Sequence, residues 1–368
     1  MPIAPLTKRI VSFFLSRKVA ITLLVLMTAL LVLSSQLPDI NMMDEEMRLF
    51  YQKERSFSYN FSKTFGGTGI ISSPWFYVLP AFIFLSTLIC TIERLIRRKK
   101  KDPGFWGSMI FHAGLLTIIV AAMITKITLF EGEVLLTEGY SFPLGREGYL
   151  RILREPESGI ELPEGSITMT RYANIYQGEF AIDHEASVTI DRGDIPFETV
   201  IKVNHPLKID GLQYTLHKYG FAPAFVVKGD KGEVLVDAFI NLVVVKGKED
   251  SFEVPGKNTM IYVRFHPDFE MTDKGPRSKS RLPNNPVVAV KVKRWGKESK
   301  FQHIKMGSSA NIMGYHISFP ELKYWAHFLV KRDQGIPVFI VAFFLVVGGL
   351  SMRFLTMKRN VKGEAGKA

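Results

Sequence analysis

The chain has 368 residues, a formal net charge of +12 and one cysteine, Cys90. A single cysteine excludes a disulfide framework, a dithiol redox pair and a C-x-x-C-H attachment site, so the chain is not itself a c-type cytochrome. The charge is not that of a nucleic-acid binder: residues 1–18, 93–104 and 353–368 each net +4 and leave the remainder neutral, and all three flank long apolar stretches, as cytoplasmic loops beside membrane spans do.

Residues 1–18 read as a basic cytoplasmic N-terminus. Residues 19–36 form the first span; the apolar run exceeds the h-region of a signal peptide and no A-x-A-like site follows, so it reads as a retained helix. Residues 37–74 form an extracytoplasmic loop, acidic at Asp39, Asp44, Glu45 and Glu46, whose stretch Phe65 to Trp75 carries the glycines and proline of a turn back to the membrane. Residues 75–92 form the second span, with Trp75, Phe76 and Tyr77 suited to the interface and Pro80 as a kink point. Residues 93–105 form a basic cytoplasmic loop, residues 106–125 the third span, residues 336–352 the fourth, and residues 353–368 a basic cytoplasmic tail. Four spans put the three basic pieces on one side, with both termini cytoplasmic. Basic segments so placed also attract anionic membrane lipid.

Between the third and fourth spans lie roughly 210 residues, 126–335, enough for a core of their own. Short β-branched runs at Glu133 to Thr137, Ser187 to Ile190 and Thr199 to Val203 read as strands. Val226 to Val236 and Val287 to Ile304 read as hairpins, and Thr272 to Pro286 as a mobile loop. Tyr324 to Gly335 reads as an interfacial anchor of aromatics and cations. The fold class is therefore a membrane protein of α plus β type: four transmembrane helices with a large β-rich extracytoplasmic domain, a sandwich or open barrel, inserted between helices 3 and 4.

His112 is the one histidine in any of these spans. On a helix it shares a face with Ser108, Leu115, Leu116 and Ile119, while Gly107, Gly114 and Ala121 form a separate stripe of small residues that lets another helix approach. An ionisable ring in hydrocarbon points to a function. Three readings stand: a packing histidine hydrogen-bonded to a neighbouring helix, a proton relay, and an axial ligand to haem iron. The last needs a second ligand, and no other span supplies a histidine, so it would come from another chain. Of the outside histidines, His217, among aromatics, and His327 are the next candidates for haem contact. Cys90 reads as a small packing residue. No nucleophile elbow, P-loop, H-E-x-x-H or paired-carboxylate signature is present.

Several stretches, in order, resemble the ResB family of cytochrome c biogenesis membrane proteins (system II). Ser72 to Phe76 and Cys90-Thr-Ile-Glu-Arg94 are similar to the family's serine–aromatic start and Cys-Thr-x-x-Arg end of the second span. His112-Ala-Gly114-Leu-Leu is similar to its His-x-Gly-Leu-Leu segment. The run Glu131 to Gly139, Asn204 to Leu207 and Asp333-Gln334-Gly335 follow in place, although Gln334 stands where proline is usual and Leu216-His217-Lys218 where glutamine and small polar residues are typical. The resemblance implies a subunit of a cytochrome c synthase complex in the bacterial cytoplasmic membrane that helps transport haem, as haem b, and present it to apocytochrome c, with a ResC-type multispan membrane protein as partner. His112 would then be one axial ligand, and the ligation chemistry would belong to the complex rather than to an autonomous enzyme. A scaffold that binds no haem and an anchored receptor for an extracytoplasmic ligand are the other readings.

Overall fold

The structure, a computed structural model, describes residues 5–37, 39–40, 43, 45–64, 70, 73–98, 102–177, 180–193, 195–243, 249–273 and 275–365. The glycine-rich turn expected after Phe65 lies largely outside the described residues. The chain divides into two compact units, Met1–Leu129 with Asp333–Ala368, and Phe130–Arg332.

The first unit is helical: α1 (Pro5–Phe14), α2 (Arg17–Gln36), α3 (Glu45–Glu54), α4 (Ser56–Thr64), α5 (Val78–Arg97), α6 (Pro103–Thr128) and α7 (Gly335–Ala365). Four are long and apolar enough to cross a membrane: α2, α5, α6 and the Gly335–Thr356 part of α7. Two differences from the expected spans have local causes. The residues Pro74–Tyr77 form a 3-10 turn and α5 starts at Val78. Pro80 therefore sits in the first turn, where its missing N–H costs nothing, and it is not an interior kink. Helix α5 also runs on to Arg97, so Glu93 and Arg94 are helical. The loop after α2 holds two short helices, α3 and α4, for which the mixed polar sequence carries no clear apolar period.

Two helix termini in this unit are closed by side chains. Asp102 accepts from the Phe105 amide at 2.9 Å and Pro103 opens α6, the preferred pairing for a helix start. The Phe14 carbonyl at the end of α1 accepts from the Ser86 hydroxyl at 3.0 Å, and the Cys90 thiol lies 3.5 Å from it. Cys90 thus has a packing role with a weak hydrogen bond added. The stripe of small residues on α6 is the contact with α7. A Cβ on Gly107 would come within 2.7 Å of the Arg353 amide, and one on Gly114 within 2.8 Å of the Val346 amide. The facing Gly349 is equally confined by Phe111 and the Gly107 carbonyl. Only backbones without side chains between them can lie so close.

The second unit is built of antiparallel strands. The 17-residue strand Leu212–Lys228 pairs along one side with Leu322–Arg332, which pairs in turn with Phe130–Thr137. These lie in an eight-stranded sheet. A four-stranded sheet, Ser141–Pro143, Ser166–Gln177, Phe180–Asp191 and Phe197–Lys202, shares one core with it: Ile167, Met169, Val188, Ile190 and Ile201 meet Val134, Leu136, Tyr214, Phe328 and Val330. The far end of the long strand serves a second core. There Phe225 and Val227 join Ile317 and Phe319 and meet the alternating Ile261, Val263 and Val288, Val290, Val292 of a five-stranded sheet. The unit is thus two face-to-face sheet packings that share one strand.

Both expected hairpins are present. Leu212–Lys228 turns into Val234–Phe239. Val287–Arg294 turns through Trp295 and Gly296, both at positive φ (49° and 78°), in the two-residue turn that matches strand twist. Two expectations are corrected. The first part of the stretch 272–286 read as a mobile loop is paired: Gly275–Ser278 pairs with Phe269–Thr272, and the Arg277 guanidinium grips Glu270 at 2.6 and 2.8 Å. The stretch read as an interfacial anchor from Tyr324 onward is instead the strand Leu322–Arg332, hydrogen-bonded on both sides, with Trp325 and His327 buried. Its middle, Trp325 to Phe328, is buried on both faces and its cations lie toward the two ends, a composition that alone resembles a membrane border.

Candidate functional site

His112 lies about 14 Å along α6 from Pro103, at 1.5 Å rise per residue. Its Nδ1 is 2.6 Å from the Ser108 carbonyl oxygen one turn earlier. A carbonyl only accepts, so Nδ1 carries a proton and Nε2 is the nitrogen left for a ligand. The ring stands edge-on to Phe111, centroids 5.6 Å apart. Among the described residues nothing hydrogen-bonds to Nε2, and the ring is half-buried. This is the arrangement a metal ligand needs: a ring oriented by one nitrogen, with the other nitrogen open. The packing reading required a bond to a neighbouring helix; the bond found is to the helix's own backbone.

Ser108, fully buried, also joins α6 to α5: its hydroxyl accepts from the Arg94 Nη1 at 3.0 Å. Gly107 and Gly114 meanwhile hold α6 against α7. The helix bearing His112 is therefore fixed from two directions, and the histidine is not part of the stripe that contacts α7.

His217 and His327 belong to the other unit and adjoin each other, with ring centroids 5.7 Å apart. They meet because the pairing of Leu322–Arg332 with Leu212–Lys228 shifts register between His327 and Phe328, which brings His217 in beside Lys218. His327 is 8% exposed; its Nε2 is 3.8 Å from Glu133 Oε2, and its Nδ1 is buried without a hydrogen-bond partner. Burial pushes its pKa below the usual histidine value, and Glu133 opposes that only in part. His217 lines a cavity of about 370 Å³ with His184, Leu216, Lys218, Tyr219 and Trp325. His184 is held by Asn174 at 2.7 Å and lies 4.4 Å from the Tyr219 ring, and burial lowers its pKa as well. Trp325 lies across Gly220, where a Cβ would meet the indole at 2.5 Å, and its Nε1 donates to the Leu242 carbonyl at 2.9 Å. Among the described residues no cluster of three or more His, Cys, Asp or Glu side chains could hold a bare metal ion.

Sequence reasoning named His112, His217 and His327 and set Ser108 on the face of His112, but missed Arg94 and His184 as neighbours. Arg94 carried a signal in its position, an arginine within a turn of a long apolar run. His184 carried none, since 32 residues and a change of sheet separate it from Leu216.

The profile of the ResB-like family matches residues 17–101 and 104–362. A curated relative, the cytochrome c biogenesis protein CcsB of Gloeobacter violaceus, is 24% identical over 275 residues, covering 72% of this chain and 53% of that one. The chain thus spans about half the length of the curated relative it matches. A solved structure, cytochrome c heme lyase CcmF, aligns over 74% of this chain and 30% of its own at 11% identity and a TM-score of 0.26, too low to equate the folds.

Proposed function

The chain belongs to the ResB-like family, and from that membership we propose that it is a subunit of a membrane cytochrome c synthase. In this reading it helps move haem across the membrane and presents it for covalent attachment to C-x-x-C-H apocytochromes. The matched relative's name, cytochrome c biogenesis protein, supports the class of process. The single observation that carries the chain's own part is His112: Nδ1–H engaged by the Ser108 carbonyl and Nε2 left open on an apolar helix.

The haem substrate, taken as haem b, supplies an iron that accepts a neutral imidazole nitrogen. His112 is one axial ligand. The Ser108 carbonyl fixes its tautomer and raises the basicity of Nε2. The glycine stripe keeps α6 pressed on α7 through residues other than His112. The second axial ligand comes from a ResC-type multispan partner, because His112 is the one histidine in the four spans. The three basic segments put both termini in the cytoplasm and the β-rich unit outside, where it braces the partner or holds the apocytochrome. His217 and His327, the latter with its pKa lowered by burial, are the outside residues that would touch haem on that side.

The test is a visible and electron-paramagnetic spectrum of the chain purified with its partner. His112→Ala should lose haem or change its axial signature, and His112→Cys should convert it to a thiolate type. Unchanged haem content and unchanged ligation in both variants would reject His112 as a ligand. Absence of a Soret band in the unmodified complex, with loss of the partner when this chain is deleted, would support the haem-free scaffold instead.

A further inference from the structure

Arg94 is an unusual side chain for its place. It projects from the last turn of an apolar helix, half-buried, and its one hydrogen bond is to a neutral hydroxyl, that of Ser108 at 3.0 Å. Among the described residues it has no carboxylate partner, although Glu93 next to it pairs with Arg97. The charges that act on Arg94 are further cations, Arg98 and Arg353. Arg98 is occupied: its guanidinium lies 5.6 Å over the Phe105 ring and 3.9 Å from Asp102. Arg353 is not. Its backbone lies on α7 against Gly107 and its side chain is exposed, with no ion pair to a carboxylate found among the described residues.

The exposed cations Arg98 and Arg353 act unfavourably on Arg94, and a half-buried guanidinium with most of its N–H groups unused is costly at the end of an apolar helix. An oxyanion relieves both costs, and the planar fork of arginine suits a carboxylate or phosphate above other ligands. The position of this spot relative to His112 gives it meaning. Ser108 touches both groups, its hydroxyl to Arg94 and its carbonyl to His112. Ser108 and His112 are one turn apart on α6, about 6 Å along the axis, so Arg94 and His112 lie near the same stretch of that helix. A single ligand carrying a metal centre and a flexible carboxylate arm fits that spacing.

We propose that Arg94, with Arg353, forms an oxyanion subsite beside His112 that takes a carboxylate of the iron tetrapyrrole. This rests on the reading of His112 as the iron ligand. The subsite orients the substrate by its acid edge, toward the end of α6 that begins at Pro103, while His112 holds the iron. Arg94 acts here as a positioning residue.

The test compares two probes on the intact chain in neutral detergent, by titration of the Soret band: protohaem, and protohaem dimethyl ester, in which the carboxylates are masked. The unmodified chain should bind the free acid at least tenfold more tightly than the diester. Arg94→Gln, and more fully Arg94→Gln with Arg353→Gln, should bring the ratio close to one by weakening the acid alone. Retained diester binding shows that the variants fold, and Arg97→Gln, whose arginine is engaged by Glu93, should keep the ratio of the unmodified chain. An acid–ester preference that survives the double substitution overturns the proposal. So does a preference seen in phosphatidylcholine nanodiscs and abolished in phosphatidylglycerol nanodiscs, because the subsite then belongs to a lipid phosphate. Loss of binding of both probes in His112→Ala supports the axial reading. Normal binding of both rejects that reading, and with it the subsite as described here.

Discussion

Thr125 and Asp333 join the end of α6 to the start of α7: the threonine hydroxyl donates to Asp333 Oδ1 at 2.8 Å. The same oxygen accepts from the Gly335 amide at 2.8 Å and so caps α7. Gly335 packs against Thr125 and the Ala121 carbonyl, where a Cβ would collide. Asp333 and Gly335 each have a defined contact here, whereas nothing comparable constrains Gln334 between them. Asp333→Ala should cost about 1 kcal/mol, the value of a lost cap. Gly335→Val should cost more, because backbone must move. The midpoint of thermal unfolding in detergent checks the order; equal effects would contradict it.

The α6–α7 contact makes a sharper prediction, with an internal control. A side chain on Gly349 would strike the Phe111 backbone, while one on the adjacent Gly348 meets nothing within 4 Å. Gly349→Leu should destabilise by about 1–3 kcal/mol, the usual cost of overpacking. Gly348→Leu should leave the melting midpoint unchanged. Similar losses in both would mean that the helices do not meet on this face.

In the β-rich unit, Gly220 and Trp325 are matched in the same way. Gly220→Ala should displace the indole and break the Trp325 bond to the Leu242 carbonyl, red-shifting tryptophan emission and lowering stability by about 1–3 kcal/mol. Trp325→Phe keeps the ring but not the donor, leaves a buried carbonyl unpaired, and should cost about 1–3 kcal/mol. In the double variant the losses should be less than additive, since both act on one contact.

Stability should fall as pH falls below neutral. Burial depresses the folded-state pKa of His184, His266 and His327 below the ordinary 6.5. As pH drops through 6.5 toward the folded values, the unfolded chain takes up protons that the folded chain refuses, so stability present above that window is lost. Around His327 the groups that matter are Glu133, which favours its protonation, and His217, Lys218 and Arg151, which oppose it. The unfolding midpoint of the full chain should decline between pH 7.5 and 5.5, and His327→Gln should make the decline shallower. A midpoint that rises on acidification would contradict the assignment.

How far the sequence revealed this molecule depended on the range of the contacts concerned. The four apolar helices were visible because a span is a local property of about twenty residues. The stripe of Gly107, Gly114 and Ala121 was visible because helical spacing is local too, and it did find its partner on α7. The hairpins at Gly229 and at Trp295–Gly296 were visible through their turns. The strand Leu322–Arg332 was misread because its partners, Phe130–Thr137 and Leu212–Lys228, are far away in sequence, and only pairing separates a central strand from an aromatic border. Within the candidate site, His112 stood out through chemistry alone. Ser108 was visible as its neighbour on the same face, but the bond from Arg94 depends on how α5 and α6 cross. The meeting of His217 with His327 depends on a single register shift, which no local pattern announces.

The strand Leu212–Lys228 carries a consequence for dissection of the protein. Its first half completes one hydrophobic core and its second half completes the other. A cut anywhere along it would strip a wall from both and leave two raw sheet edges. The β-rich unit should therefore melt in one cooperative step, and its halves should not survive separate expression. A disturbance seated on either core reaches its neighbour through 17 continuous residues rather than through a hinge.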